Sequence, residues 1–330
     1  MPEERSREIG QTDRALVSAP AALVAGHSPI PERPSGGPAG RAYLLLAITA
    51  LSWGGNAVAS RLAVGEISPM ALTCLRWTIV MSISLAITHR EIATEWTLLR
   101  RNWPLIFAMG AFGFTGFNAL LYVGAHYTTA VNLTIIQGSV PVLVLLGALL
   151  VFKTRITVLQ ILGMIVTLGG VALVATRGDV TALLGLALNP GDLLMLLACV
   201  LYASYTLALR NRPKVSGFVF FTALAAVAFV TSLPLMFYEI WMGTVLWPTP
   251  KGWMIVLYIA LFPSLIAQLF FMRAVELIGP GRAGIFVNLV PVFGAILAVG
   301  ILAEPFRLYH GAALLLVFGG IWLAEWRRKF

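Results

Sequence analysis

Several polar side chains stand inside otherwise apolar stretches of this chain, and one of them carries a permanent charge. Arg76 lies seven residues past Pro69, roughly 10 Å along a helix that rises about 1.5 Å per residue. A guanidinium in an apolar setting can grip a carboxylate or phosphate through two parallel hydrogen bonds. The same long stem could instead carry the charge out to the nearer interface, and the sequence leaves both readings open. Other polar residues pair by helical spacing. Asn118 and Tyr122 are four apart, and Gln268 and Met272 repeat that pair later in the chain. Trp53 and Asn56 are three apart, as are Tyr202 and Tyr205. Rings of this kind can stack on a substrate ring or cation, whereas the plainer reading is helix packing.

Thr134, Gln137 and Pro141 follow one another at spacings of three and four, and Asn288 and Pro291 stand in the matching later segment. Proline removes a backbone hydrogen bond, so Pro141 and Pro291 are candidate hinges. Glu304 and Asp192 read as carboxylates at the positive ends of their own helices. No GxxxxGK[ST], HExxH or GxSxG sequence occurs, so neither direct ATP use nor motif-borne hydrolysis is indicated. The 14 acidic residues all fall outside the middles of the apolar stretches, which disfavours proton transfer through a mid-membrane carboxylate. Cys74 and Cys199 make neither a disulfide framework nor a zinc spacing. No metal and no cofactor is expected.

The elements that must position these residues are membrane helices. The chain is 59% hydrophobic and 11% charged, against about one quarter charged in soluble domains. Apolar stretches near the length of about 20 residues needed to cross a bilayer are expected at 43–64, 69–89, 103–124, 128–151, 156–176, 190–210, 216–238, 252–274, 279–303 and 308–326. Residues 1–42, rich in proline and charge, suit a disordered tail.

A shift of 150 residues sets Val140-Pro141-Val142 on Val290-Pro291-Val292 and Gly169-Gly170 on Gly319-Gly320. A shift of 149 pairs Trp53 with Tyr202 and Arg61 with Arg210. Residues 43–176 and 190–326 are therefore two repeats of five spans, and an odd repeat enters the bilayer in opposite senses. With both termini cytoplasmic, most of the 23 basic residues lie on the inner side, leaving Arg61, Arg177, Lys251 and Arg307 outside and Arg76 within a span. The formal charge of +9 then reflects topology and not a nucleic-acid surface. The expected class is an all-α integral membrane protein, ten transmembrane helices as two inverted five-helix repeats. Gly169-Gly170 and Gly319-Gly320 mark a packing or homodimer face. Arginine far exceeds lysine, a usage that points to a GC-rich bacterium and hence its inner membrane.

Along the spans stand LSWGGNAVASR (Leu51 to Arg61), LRW (Leu75 to Trp77), NALLYVGAHYTTA (Asn118 to Ala130) leading to the Pro141 helix, Gly191-Asp192, the Pro291 helix, AEPF (Ala303 to Phe306) and the closing double glycine. In this order the motifs resemble the EamA family of the drug/metabolite transporter superfamily, over residues 43 to 326. The resemblance implies secondary transport, often export, of amino acids, other metabolites or toxic compounds. It also implies a cavity lined by spans one, three, four, six, eight and nine. One departure is that span four ends in Lys153-Thr154-Arg155, where the family usually has an acid. Another is that residues 43–64 hold no glutamate, unlike the smaller multidrug relatives.

These readings converge on an exporter of a small zwitterionic or aromatic metabolite working by alternating access, and not an enzyme. Arg76 would steady a carboxylate, while Trp53, Tyr122, Tyr202 and Tyr205 would pack the side chain. Asn56, Asn118, Gln137, Gln268 and Asn288 would supply hydrogen bonds. A nonselective channel would instead need a continuous polar stripe. A lipid-modifying membrane enzyme would need clustered acids, histidines or metal ligands near one interface, and His89, His126 and His310 lie on different spans.

Overall fold

The computed structural model describes residues 38–153, 157–179, 189–278, 283 and 286–325, so nearly all of the proposed tail lies outside the described residues. Among them there is no strand. Eight helices are long and apolar enough to cross a membrane: α1 (Gly40–Leu62), α2 (Pro69–Arg101), α3 (Trp103–Gly124), α4 (Ala130–Phe152), α5 (Val158–Ala175), α6 (Pro190–Asn211), α7 (Gly217–Trp241) and α8 (Pro250–Ile278). Two shorter apolar helices follow, α9 (Val290–Leu302) and α10 (Leu308–Ala324). Much of the first part of the ninth expected span, residues 279–289, lies outside the described residues.

Helices that correspond between the repeats pack on one another. The α2 and α7 helices run antiparallel and cap each other. Glu239, near the end of α7, accepts from Met70 N at 3.1 Å and Ala71 N at 3.2 Å, while Glu95 of α2 accepts from Ser216 N, just before α7. A carboxylate at a helix N-terminus satisfies orphan N–H groups and meets the positive end of the dipole. The α5 and α10 helices are also antiparallel, Gly163 lying against Gly320 and Ala324, and Gly170 against Ala313. Of each double glycine, the second faces the partner helix, and nothing lies within 4 Å of an added Cβ at Gly169 or Gly319. The remaining helices cross-pair, α1 with α8 and α9, α6 with α3 and α4, which puts a six-helix core between the α2–α7 and α5–α10 pairs.

Three expectations need correction. The second helix does not stop near residue 89 but continues unbroken to Arg101. Its run from Glu91 to Leu99 holds no glycine or proline, and the half-buried Ile92 and buried Leu99 pack into the core that includes Trp77 and Phe114. Span four is interrupted at Gly138 and Ser139, giving Ala130–Gln137 and Val140–Phe152. Pro141 therefore occupies the first turn after a break, where its missing N–H costs nothing, and the break itself packs against the other hinge candidate, with Gly138 close to the Pro291 ring. Lastly, Glu304 does not serve its own span; its carboxylate accepts from Ala130 N at 2.9 Å and Val131 N at 3.0 Å, capping α4.

The structure adds one feature that periodicity does not show. Matching stretches of α3 and α8, Met109–Gly116 and Ala260–Ile266, are π-helical. The wider turn carries an extra residue, leaves carbonyls for other donors and is common at functional sites.

Candidate functional site

The wide turn of α8 packs on α1 and α2, that of α3 packs on α6 and α7, and Arg76 of α2 reaches the first of these turns. Its side chain is 5% exposed. Nε donates to Ser264 Oγ at 2.8 Å, and Nη1 donates to Asn118 Oδ1 and Tyr122 OH. The four-residue spacing of Asn118 and Tyr122 thus turns both oxygens toward one guanidinium. Each partner is fixed in turn: Asn118 Nδ2 donates to Phe114 O at 2.6 Å, and Ser264 Oγ to Ile259 O five residues back at 2.6 Å, a reach that suits the wide turn. Among the described residues no carboxylate lies within ion-pair distance of Arg76, and Nη2 makes no hydrogen bond among them. A buried cation with only neutral partners retains much of its desolvation cost.

An aromatic file starts beside this charge. The guanidinium carbon is 5.0 Å from the Trp77 ring centre. Trp77 stacks on Phe114 at 4.8 Å, Phe114 leans on Tyr205 at 5.4 Å, Tyr205 on Tyr202 at 5.4 Å and Tyr202 on Phe117 at 5.2 Å. The Trp77 indole N–H is buried and, among the described residues, has no acceptor. Trp53, half-buried, donates Nε1–H to Pro263 O at 3.0 Å, next to Ser264, and its ring centre is 5.5 Å from that of Phe271. It therefore reaches the same wide turn as Arg76, but from the α1 side.

Other expected residues stand differently. Asn56 is buried at 7% exposure with Oδ1 unpartnered. Gln137, Gln268 and Asn288 are half-buried and, among the described residues, none bonds to the Arg76 group. Gln137 and Asn288 sit at the interruptions of α4 and before α9. Sequence reasoning missed Ser264 and Trp77 as site residues. Trp77 adjoins Arg76, which was a usable signal; Ser264 needed knowledge of which helix faces α2.

Comparison with known proteins decides the family. A model of the EamA-like transporter family matches residues 40–176 and again 189–326. This chain belongs to the EamA-like transporter family. It is 27% identical over 292 residues to the uncharacterized transporter YyaM of Bacillus subtilis, covering 86% of this chain and 93% of that protein. It is 26% identical over 298 residues to YetK of the same organism, also named an uncharacterized transporter, covering 87% and 88%. A solved crystal structure shares the fold at a TM-score of 0.59 and 21% identity, over 86% of this chain and 96% of that one. The EamA-like chain is thus a multi-pass membrane protein whose relatives are named as transporters, and the two family matches fall on its two repeats. Among its described residues no group of three or more His, Cys, Asp or Glu side chains could hold a metal.

Proposed function

We propose that this EamA-like protein is a secondary transporter, and not an enzyme, that exports small carboxylate-bearing metabolites, amino acids with aromatic or hydrophobic side chains first, by alternating access. The observation that carries this reading is Arg76, a buried cation with neutral partners and no carboxylate among the described residues, beside a file of rings. A substrate carboxylate would supply the missing charge at Nη2, and the unpartnered Trp77 indole N–H is a second donor in the same neighbourhood. Tyr202 and Tyr205 would meet the side chain, with Trp53, Asn56, Gln137, Gln268 and Asn288 along the path. The breaks before Pro141 and Pro291 are the hinges in this scheme, at the point where Gly138 touches Pro291.

In the same scheme ten helices cross a bacterial inner membrane as inverted repeats, with both termini cytoplasmic. The antiparallel packing of α2 on α7 and of α5 on α10 supports the inversion, and the basic surplus serves that orientation, not nucleic acid. A homodimer would use the outward side of α5 and α10, where Gly169 and Gly319 are open. The test is a thermal-shift screen of amino acids on purified protein, followed by uptake of labelled hits into liposomes. Hits should stabilise the wild type and lose that effect in Arg76→Lys, which keeps the charge without the fork. Equal stabilisation of both proteins would remove Arg76 from the site.

A further inference from the structure

A second buried polar centre lies where α4, α6 and α10 begin. Asp192, the third residue of α6, is 1% exposed. Its Oδ1 accepts from Thr128 Oγ1 at 2.5 Å, and both its oxygens accept from Asn132 Nδ2 at 3.3 Å. Among the described residues it has no ion-pair partner. On the other side of the same amide, Asn132 Oδ1 is 3.1 Å from Nε2 of His310, which is 2% exposed. The other ring nitrogen, Nδ1, accepts Arg307 N–H at 3.0 Å.

Elementary donor and acceptor chemistry fixes the direction of this series. A backbone N–H can only donate, so Nδ1 holds no proton; the neutral ring carries it on Nε2 and donates to Asn132 Oδ1. Asn132 must then present its NH2 to Asp192. Reversing the amide would set Nδ2 against Nε2–H, and moving the ring proton to Nδ1 would set it against Arg307 N–H. The series therefore runs one way, from Arg307 through His310 and Asn132 to Asp192.

We propose that this series is a proton-binding site that latches the Ala130 end of the bundle, and that a proton from the aqueous phase on that side releases α4 from α6 and α10. The proton leaves a hydronium ion and adds to an Asp192 oxygen, turning an acceptor that faces Asn132 into an O–H donor. Taken instead by His310 Nδ1, it displaces Arg307 N–H and opens the first turn of α10. Either route ends a bond that the latch needs.

The matching positions of the repeat do not carry these side chains. The shift of 150 sets Gln160 opposite His310, Thr154 opposite Glu304 and Arg282 opposite Asn132, and shifts of 149 and 150 set Tyr43 and Ala42 opposite Asp192. This latch therefore has no sequence counterpart in the other repeat, so its response to a proton is one-sided. The charged and titratable neighbours come from each packed element. Arg177 at the end of α5 acts on Asp192, and Asp179 follows it. Before α10, Arg307 acts on His310, Glu304 caps α4, and the Tyr309 ring lies 4.1 Å from the imidazole. Arg61 donates to Ala125 O at 2.6 Å and acts on His126 in the α3–α4 turn.

The inference goes beyond the Arg76 reading, and its test uses no substrate, so the two can fail separately. Cys199 of α6 is 0% exposed, with Sγ 3.7 Å from Ile136 O of α4, one turn from Asn132. In a full-length Cys74→Ser background in liposomes, maleimide labelling of Cys199 is followed as pH falls from about 8 to about 5, normalised at each pH to the denatured chain. The normalised rate should rise about tenfold, the effect of losing one buried hydrogen bond. Asp192→Asn and His310→Gln should each flatten that rise. A pH-independent rate in the otherwise native background, or a rise left unchanged by both variants, overturns the proposal.

Discussion

Among the described residues two charged side chains are buried, Arg76 and Asp192, and their surroundings differ. Asp192 sits at the N-terminal end of α6, where the helix dipole and the donors of Thr128 and Asn132 all favour a negative charge. Arg76 lies two turns into α2 beside the wide turn of α8, and its partners are neutral oxygens. One charge is offset in part by a helix end and polar donors, and the other meets only neutral partners among the described residues. Neither is duplicated: the 149-residue shift sets Ala225 opposite Arg76 and Tyr43 opposite Asp192. The scaffold repeats, and the buried charges do not.

The largest effect that would break this contrast is at Arg76. In Arg76→Met, flux of a carboxylate substrate into liposomes should fall about a hundredfold, about 2.7 kcal/mol of interaction with the passing anion. The melting temperature should not drop, because a costly buried charge is gone. A variant that melts early while retaining its flux would make Arg76 structural.

The junction of α1, α4 and α9 comes next. A Cβ on Gly294 would lie 2.1 Å from Thr134 Cγ2, whereas one on Gly169 meets nothing within 4 Å. Gly294→Ala should destabilise by about 1–3 kcal/mol in reversible unfolding, and Gly169→Ala should not destabilise through packing. Equal losses would mean that the close approach at Gly294 is not needed.

Smaller still is Ser264→Ala, which removes one neutral acceptor from Nε; flux should fall by up to about tenfold, the value of one buried hydrogen bond to a charge. No change would place Ser264 outside the site.

The smallest effect is at a carboxylate in the loop between α1 and α2, about a quarter exposed. The Thr249 hydroxyl, then Lys251, hold the Glu66 carboxyl below its ordinary 4.5. Because the folded value is depressed, the contribution is fully present above pH 4.5 and is lost as pH falls through the lowered value. Glu66→Gln should therefore lower the melting temperature slightly at neutral pH in low salt and leave it unchanged in acid, as expected of a solvent-screened group.

Particular residues show what could be read before the structure. Arg76 declared itself as a cation in an apolar stretch, and the match of Pro141 to Pro291 exposed the repeat. The four-residue step from Asn118 to Tyr122 led to one shared face, and both oxygens do point to one partner. That partner could not be named, because it stands 42 and 46 positions away on another helix. Ser264 was hidden for a further reason: an extra residue per turn in Ala260–Ile266 moves side chains off the regular 3.6 period. Glu304 misled because the nearest helix start in sequence is not the nearest in space. Asp192 looked like an ordinary first-turn acid until its burial and its link to His310 were seen.

The reciprocal caps of α2 and α7 have a mechanical consequence. A pair of rods tied at both ends resists shear, because neither can slide without breaking a fastening at one end or the other. By contrast α4, in the six-helix core, is jointed at Gly138 and Ser139, and such a member bends where a rod does not. Arg76 is carried on the rod, and Gln137 is the last residue before the joint. In the alternating-access scheme proposed above, bending at the joint would move α4 past a charge that the tied pair holds still.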